Sequence, residues 1–92
     1  MIRRFRHKGL ERLFIRGDSS GINPRLASKP CRMLALLEEA TGAEALNLPG
    51  YRLHQLKGDR AGQWAVMVCG NWRLVFEIGD GDADNVDLVD YH

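Results

Sequence analysis

The residues of this 92-residue chain with chemistry beyond packing and solubility are three histidines, a lysine and an acid–phenol–imidazole run at 90–92. Imidazole exchanges protons near neutral pH. His54 stands in a segment of strand-like alternation, with Arg52 expected on the same face and Lys57 following beside Gly58. His92 follows Asp90 and Tyr91. His7, before a helix and among basic residues, reads as a solvated side chain. If the strand running into Asp90 pairs beside the one bearing Arg73, and His54 shares its face, one surface gathers two imidazoles, a lysine, an arginine, a carboxylate and a phenol. That set has no nucleophilic Ser or Cys in an elbow and no glycine-rich phosphate loop. It does hold what RNA cleavage needs when the substrate's own 2′-hydroxyl attacks: a proton acceptor, a proton donor, and fixed cations for the charge on phosphorus. The scheme requires no metal, and no cofactor is expected. A zinc site from His54, His92 and Cys69 would lack the short ligand spacings of zinc modules. Trp64, Trp72 and Phe76 read as core, and Tyr91 as the ring free to stack on a base.

Positioning these groups falls to a short set of elements. Residues 2–6 read as an edge strand. Leu10, Leu13 and Phe14 recur at helical spacing from Lys8 to Arg16, with Gly17 as the stop. Asp18 to Pro24 is loop. A second helix carries Met33, Leu34, Leu36, Leu37 and Ala40 on one face, with Ser28 as N-cap, Pro30 tolerated in the first turn, and an end near Thr41-Gly42. Strands are expected at Tyr51–Leu56, Trp64–Cys69, Trp72–Ile78 and Asn85–Tyr91. A Gly70-Asn71 hairpin loop and a looser turn beginning at Asp80-Gly81 separate the last three. Two helices before a run of antiparallel strands make an α+β layer fold with helices on one face and the other face open. A chain end ordinarily frays, so a loose tail competes with this reading; Val86, Leu88 and Val89 argue for a strand held nearly to residue 92.

A hydrophobic share of 45% with 27% charged residues describes a globular chain, and 92 residues suit one domain over 1–92. No apolar run approaches the roughly 18–20 residues of a membrane span, and no apolar stretch backs the basic start, so a cytoplasmic location is expected. Cys31 and Cys69 form neither a disulfide framework nor a Cys-x-x-Cys pair. The net charge of +1 conceals a polarity: residues 1–32 carry +7 and residues 77–92 carry −6. Arg3, Arg4, Arg6, Lys8, Arg12 and Arg16 therefore offer a phosphate-contact zone, against the plainer reading of a solvated helix face.

Three segments carry a family resemblance: Tyr51-Arg52-Leu53-His54-Gln55-Leu56-Lys57-Gly58-Asp59-Arg60-Ala61-Gly62-Gln63-Trp64, Asn71-Trp72-Arg73-Leu74-Val75-Phe76, and Asp90-Tyr91-His92. Together they resemble the signatures of the HigB-type (plasmid-maintenance killer) toxins of bacterial type II toxin–antitoxin systems, within the RelE-like group. The resemblance implies an α+β RelE-like fold, two N-terminal helices on a twisted, mainly antiparallel sheet of four to five strands. It implies a metal-independent endoribonuclease that cuts mRNA in the A site of the 70S ribosome, leaving 2′,3′-cyclic phosphate and 5′-hydroxyl ends. A HigA-type helix-turn-helix antitoxin would neutralise it in a hetero-oligomer and link it to operator DNA. By position, His54, Lys57, Asp90, Tyr91 and His92 match the family's active-site set, with Arg73 as the accompanying cation and Arg60 joining the RNA-contact residues. The chain departs from the pattern at Pro30, where relatives run an uninterrupted helix, and at 79–85, which reads as a lengthened acidic loop. Two other readings stand beside it: a non-catalytic module modulating an operator-bound repressor, and a ribonuclease independent of the ribosome.

Overall fold

The computed structural model describes residues 1–26 and 29–90; Ala27, Ser28, Tyr91 and His92, and the side chain of Arg60, lie outside the described set, and with them the N-cap expected at Ser28. Helix α1 (Lys8–Arg16) begins and ends as its sequence dictates. His7 is not a bystander: its Nδ1 accepts the Leu10 N–H at 3.1 Å and caps the helix. Gly17, at φ 68°, turns the chain out, its N–H on the Leu13 carbonyl and that of Asp18 on the Arg12 carbonyl. Gly9 is buried against the backbone of Gly21, where a Cβ would collide with the Gly21 carbonyl oxygen. Helix α2 (Lys29–Glu39) buries Met33, Leu34 and Leu37, and Pro30 sits in its first turn without interrupting it. A 3-10 turn (Ala43–Leu46) leads to the sheet.

The sheet is an antiparallel meander of β1 (His54–Gln55), β2 (Gln63–Cys69), β3 (Trp72–Gly79) and β4 (Asp82–Asp90), in that spatial order. Its helix-side face supplies Val66, Val68, Leu74, Phe76, Ala83, Val86 and Leu88 to a core completed by Leu10, Leu26, Met33, Leu34, Leu37 and Leu46. Burying a ring such as Phe76 contributes about 1.5–3 kcal/mol. Trp64 and Trp72 pack half-buried on this core.

Three expectations need correction. The first strand is two residues long rather than Tyr51–Leu56, because Gly50 (φ 85°) and Arg52 (φ 51°) take left-handed backbone and break the alternation that would have aligned Arg52 with His54. Asp80-Gly81 is a tight two-residue turn, both residues at positive φ as in a type I′ hairpin, so β4 begins at Asp82 and the acidic 79–85 stretch is mostly strand. Asn85, at φ 49°, forms a bulge there, two residues facing Phe76 where one would do. Finally, residues 2–6 form no full edge strand: they run parallel to β4 through two bridges, Ile2 to Ala83 and Phe5 to Val86. No helix among the described residues is long and apolar enough to cross a membrane.

Candidate active site

Register fixes what the sheet face away from the helices presents. His54 lies opposite Ala65, Ala65 opposite Val75, and Val75 opposite Asp87; two residues along, Met67 lies opposite Arg73 and Arg73 opposite Val89. Cross-strand partners share a face, so His54, Met67, Arg73 and Asp87 stand on one side, floored by the buried Ala65 and Val75.

The His54 ring is exposed, but its orientation is held. Its Nδ1 lies 3.0 Å from the Arg52 carbonyl oxygen, which can only accept, so Nδ1 carries a proton, and in the neutral ring the lone pair falls to Nε2. That carbonyl is aimed by the left-handed backbone of Arg52, a conformation a non-glycine residue adopts at a cost of order 1 kcal/mol. Arg52 thus orients the His54 ring through its main chain, which the pattern of side chains did not disclose. Lys57, exposed just beyond β1, begins a 3-10 turn (Gly58–Arg60) whose Gly58 takes φ 69°. Arg73 folds its Nη1 back on the Gly70 and Trp72 carbonyls, at 2.7 and 3.1 Å, which braces the guanidinium against the β2–β3 hairpin.

The carboxylate expected near these groups is elsewhere. Asp90 ends β4 opposite Trp72, on the helix-side parity, and lines a hollow with Arg25, Cys69 and Trp72. Three strand spacings, about 14 Å, separate its strand from that of His54. The carboxylate on the same face as His54 from β4 is Asp87. Tyr91 and His92 lie outside the described residues.

The basic zone divides. Arg4 grips the Asp84 carboxylate with two hydrogen bonds, Nε at 3.0 Å and Nη2 at 2.8 Å, and Arg3 and the N-terminal amine reach Asp82 at 3.8 and 3.4 Å. The Arg4 hydrogen bond, joined by the Asn85 N–H, holds the Asp84 carboxyl below the ordinary carboxylate range. By contrast Lys8, Arg12 and Arg16 follow one another at four-residue intervals along the exposed side of α1, with Arg6 just before it. Hydrogen bonding from Ser20, with Arg12 and Arg16 nearby, lowers Asp18.

A family model described as the RelE-like HigB toxin of a type II toxin–antitoxin system matches residues 3–92. The chain is also 41% identical to a Proteus vulgaris protein named Endoribonuclease HigB, over the full length of both.

Proposed function

The chain belongs to the HigB-like toxins, RelE-like toxins of type II toxin–antitoxin systems, and from that membership and the His54 geometry we propose that it is an endoribonuclease cutting mRNA in the ribosomal A site. The observation that carries the reading is the exposed His54 ring, with Nδ1–H spent on the Arg52 carbonyl, on a face shared with Arg73. An imidazole in that tautomer accepts a proton at Nε2 without first moving.

The reaction needs no nucleophile from the protein. One imidazole takes the proton of a ribose 2′-hydroxyl as its oxygen attacks the adjacent phosphorus. The P–O5′ bond breaks, a second group protonates the departing 5′-oxygen, and the products are a 2′,3′-cyclic phosphate and a 5′-hydroxyl. His54 and His92 divide the two proton transfers. Lys57 and Arg73 offset the charge growing on phosphorus, and Tyr91 stacks on a base. Asp90, in this scheme, orients the residues that follow it. The α1 ladder of Lys8, Arg12 and Arg16, with Arg6 and Arg60, contacts ribosomal or messenger phosphates. The family membership implies an antitoxin partner; a HigA-type helix-turn-helix protein that binds operator DNA completes the proposal. The chain acts in the cytoplasm, with no metal in the scheme.

Primer extension on translating ribosomes tests this directly. The parent should produce cuts within the A-site codon, and His54→Ala and His92→Ala should each lose them by about 10²–10⁴-fold in rate. Cutting of naked RNA as fast as of translated message would sink the ribosomal part of the reading. A chain that neither cuts nor stops growth when expressed alone would favour the non-catalytic repressor partner.

A further inference from the structure

Resting on the reading of the chain as an RNA-cutting enzyme, we propose that a cavity beside the outer edge of β2 is a nucleotide subsite: Lys29 and Arg32 bind a backbone phosphate, and Tyr51 stacks the attached base. The cavity, about 400 Å³, lies between the start of α2, the 49–51 loop and β2 at Met67–Val68. Binding pockets for small ligands begin near about 300 Å³, so the space suits one nucleotide and is small for a peptide segment.

Its chemistry is one-sided. Lys29 and Arg32 lie three residues apart on the same face of α2, both exposed, and no carboxylate among the described residues lines the cavity with them. Neither has an ion-pair partner among the described residues. The first turn of α2 holds no acid, so these cations sit where the aligned backbone dipoles disfavour them. Helix stability does not explain them, whereas an anion in the adjoining cavity does. The opposite wall is apolar and includes a ring. Tyr51 is half-buried against the core, and its carbonyl accepts the Met67 N–H at 2.6 Å, which pins the loop to β2. A ring held this way stacks on a base with little ordering left to do.

Location ties the cavity to the cutting site. Ala65 faces His54, and Met67 stands two residues further along the same strand, about 7 Å away. The segment from Tyr51 to Leu56 lies along this edge of β2, paired at Trp64 and Ala65 and bonded at Gln63 and Met67, so the wall of the cavity and His54 belong to one continuous stretch of chain. One residue beyond, at Cys69, begins the second hollow, which adds Arg25 and ends at Asp90. The subsite therefore lies on the path between the described catalytic histidine and the end of β4.

The probe is an RNA hexamer methylated at every 2′-oxygen, which this chemistry cannot cut, titrated with the whole chain at about 50 and about 200 mM salt. Replacing both cations, Lys29→Gln with Arg32→Gln, should weaken binding about tenfold and reduce the slope of log affinity on log salt by about 1.4, two single-strand phosphates' worth. Tyr51→Leu should weaken binding about tenfold at unchanged slope, and Tyr51→Phe should restore it. With an abasic hexamer, the difference between Tyr51 and Leu should vanish. Melting curves of the Tyr51 variants separate stacking from folding. Parent-like affinity and slope in the double variant overturn the proposal, as does a parent that does not bind the hexamer. Unchanged hexamer binding with weakened antitoxin capture would make the cleft a protein-docking surface and overturn it too. The catalytic reading fails separately: His54→Ala that still cuts message ends it, whatever the hexamer titration gives.

Discussion

The two ends of β4 treat charge in opposite ways. At its start, Asp82 and Asp84 face the basic N-terminal segment, and Arg3, Arg4 and the N-terminal amine are already paired. At the other end, around the β2–β3 hairpin, Lys29 and Arg32 have no carboxylate partner among the described residues, and Arg73 is braced by main-chain carbonyls. The first end uses opposite charges to fasten a segment that makes only two bridges to the sheet. The second keeps its cations unspent beside two hollows and the exposed His54. A cation that has a carboxylate must give it up before it can bind phosphate, so density of arginine along the chain is a poor guide to where RNA is held.

Replacing single groups at each end would break or sharpen that contrast. The largest effect belongs to the open end: His54→Ala should reduce the cutting rate about 10²–10⁴-fold on translating ribosomes while the melting temperature stays put, since the ring is exposed. A parallel loss of stability would show the ring to be structural. At the fastened end the expected change is in stability. The Asp84 carboxyl is held low in the folded chain, so its contribution is present above the ordinary carboxylate value of about 3.9 and disappears as pH falls through the depressed one. Asp84→Asn should therefore melt a few degrees below the parent at neutral pH, and the gap should close in acid and narrow in high salt. A gap that is constant across pH would assign the loss to something other than the Arg4 pair. The smallest effect is expected for Arg3→Gln with Arg4→Gln, which should lower the salt slope of RNA hexamer binding by less than the roughly 0.7 of one phosphate. A decrease as large as that expected for Lys29 and Arg32 would erase the distinction between the two ends.

Much of the scaffold was legible because its signals are local. Leu10 and Leu13 at helical spacing, the Gly17 stop, the Gly70-Asn71 loop and the alternation from Trp72 to Ile78 each depend on neighbours a few residues away. Where local signals misled, a backbone conformation outside the usual regions was responsible. Arg52 in left-handed geometry shortened the first strand, and Asn85 in the same geometry hid a strand inside an acidic run. Of the candidate site, the pairing of β3 with β4 and a shared face for His54 and Arg73 were suppositions at the level of sequence, and the register across β1, β2 and β3 was needed to establish them. The orientation of His54 did not, since it depends on a carbonyl, and every residue carries one.

By itself, then, the sequence determined which residues could move protons, which stretches would be helix or strand, and which family's signatures the chain carries. The tertiary structure alone decided which charges remain available, because Arg4 and Asp84 are 80 residues apart and meet only when the N-terminal segment docks on β4. It also decided that Asp87 rather than Asp90 shares the face of His54, because one bulge at Asn85 resets the parity of everything after it. Periodicity is a property of neighbours, whereas pairing and parity across a sheet belong to the assembled fold.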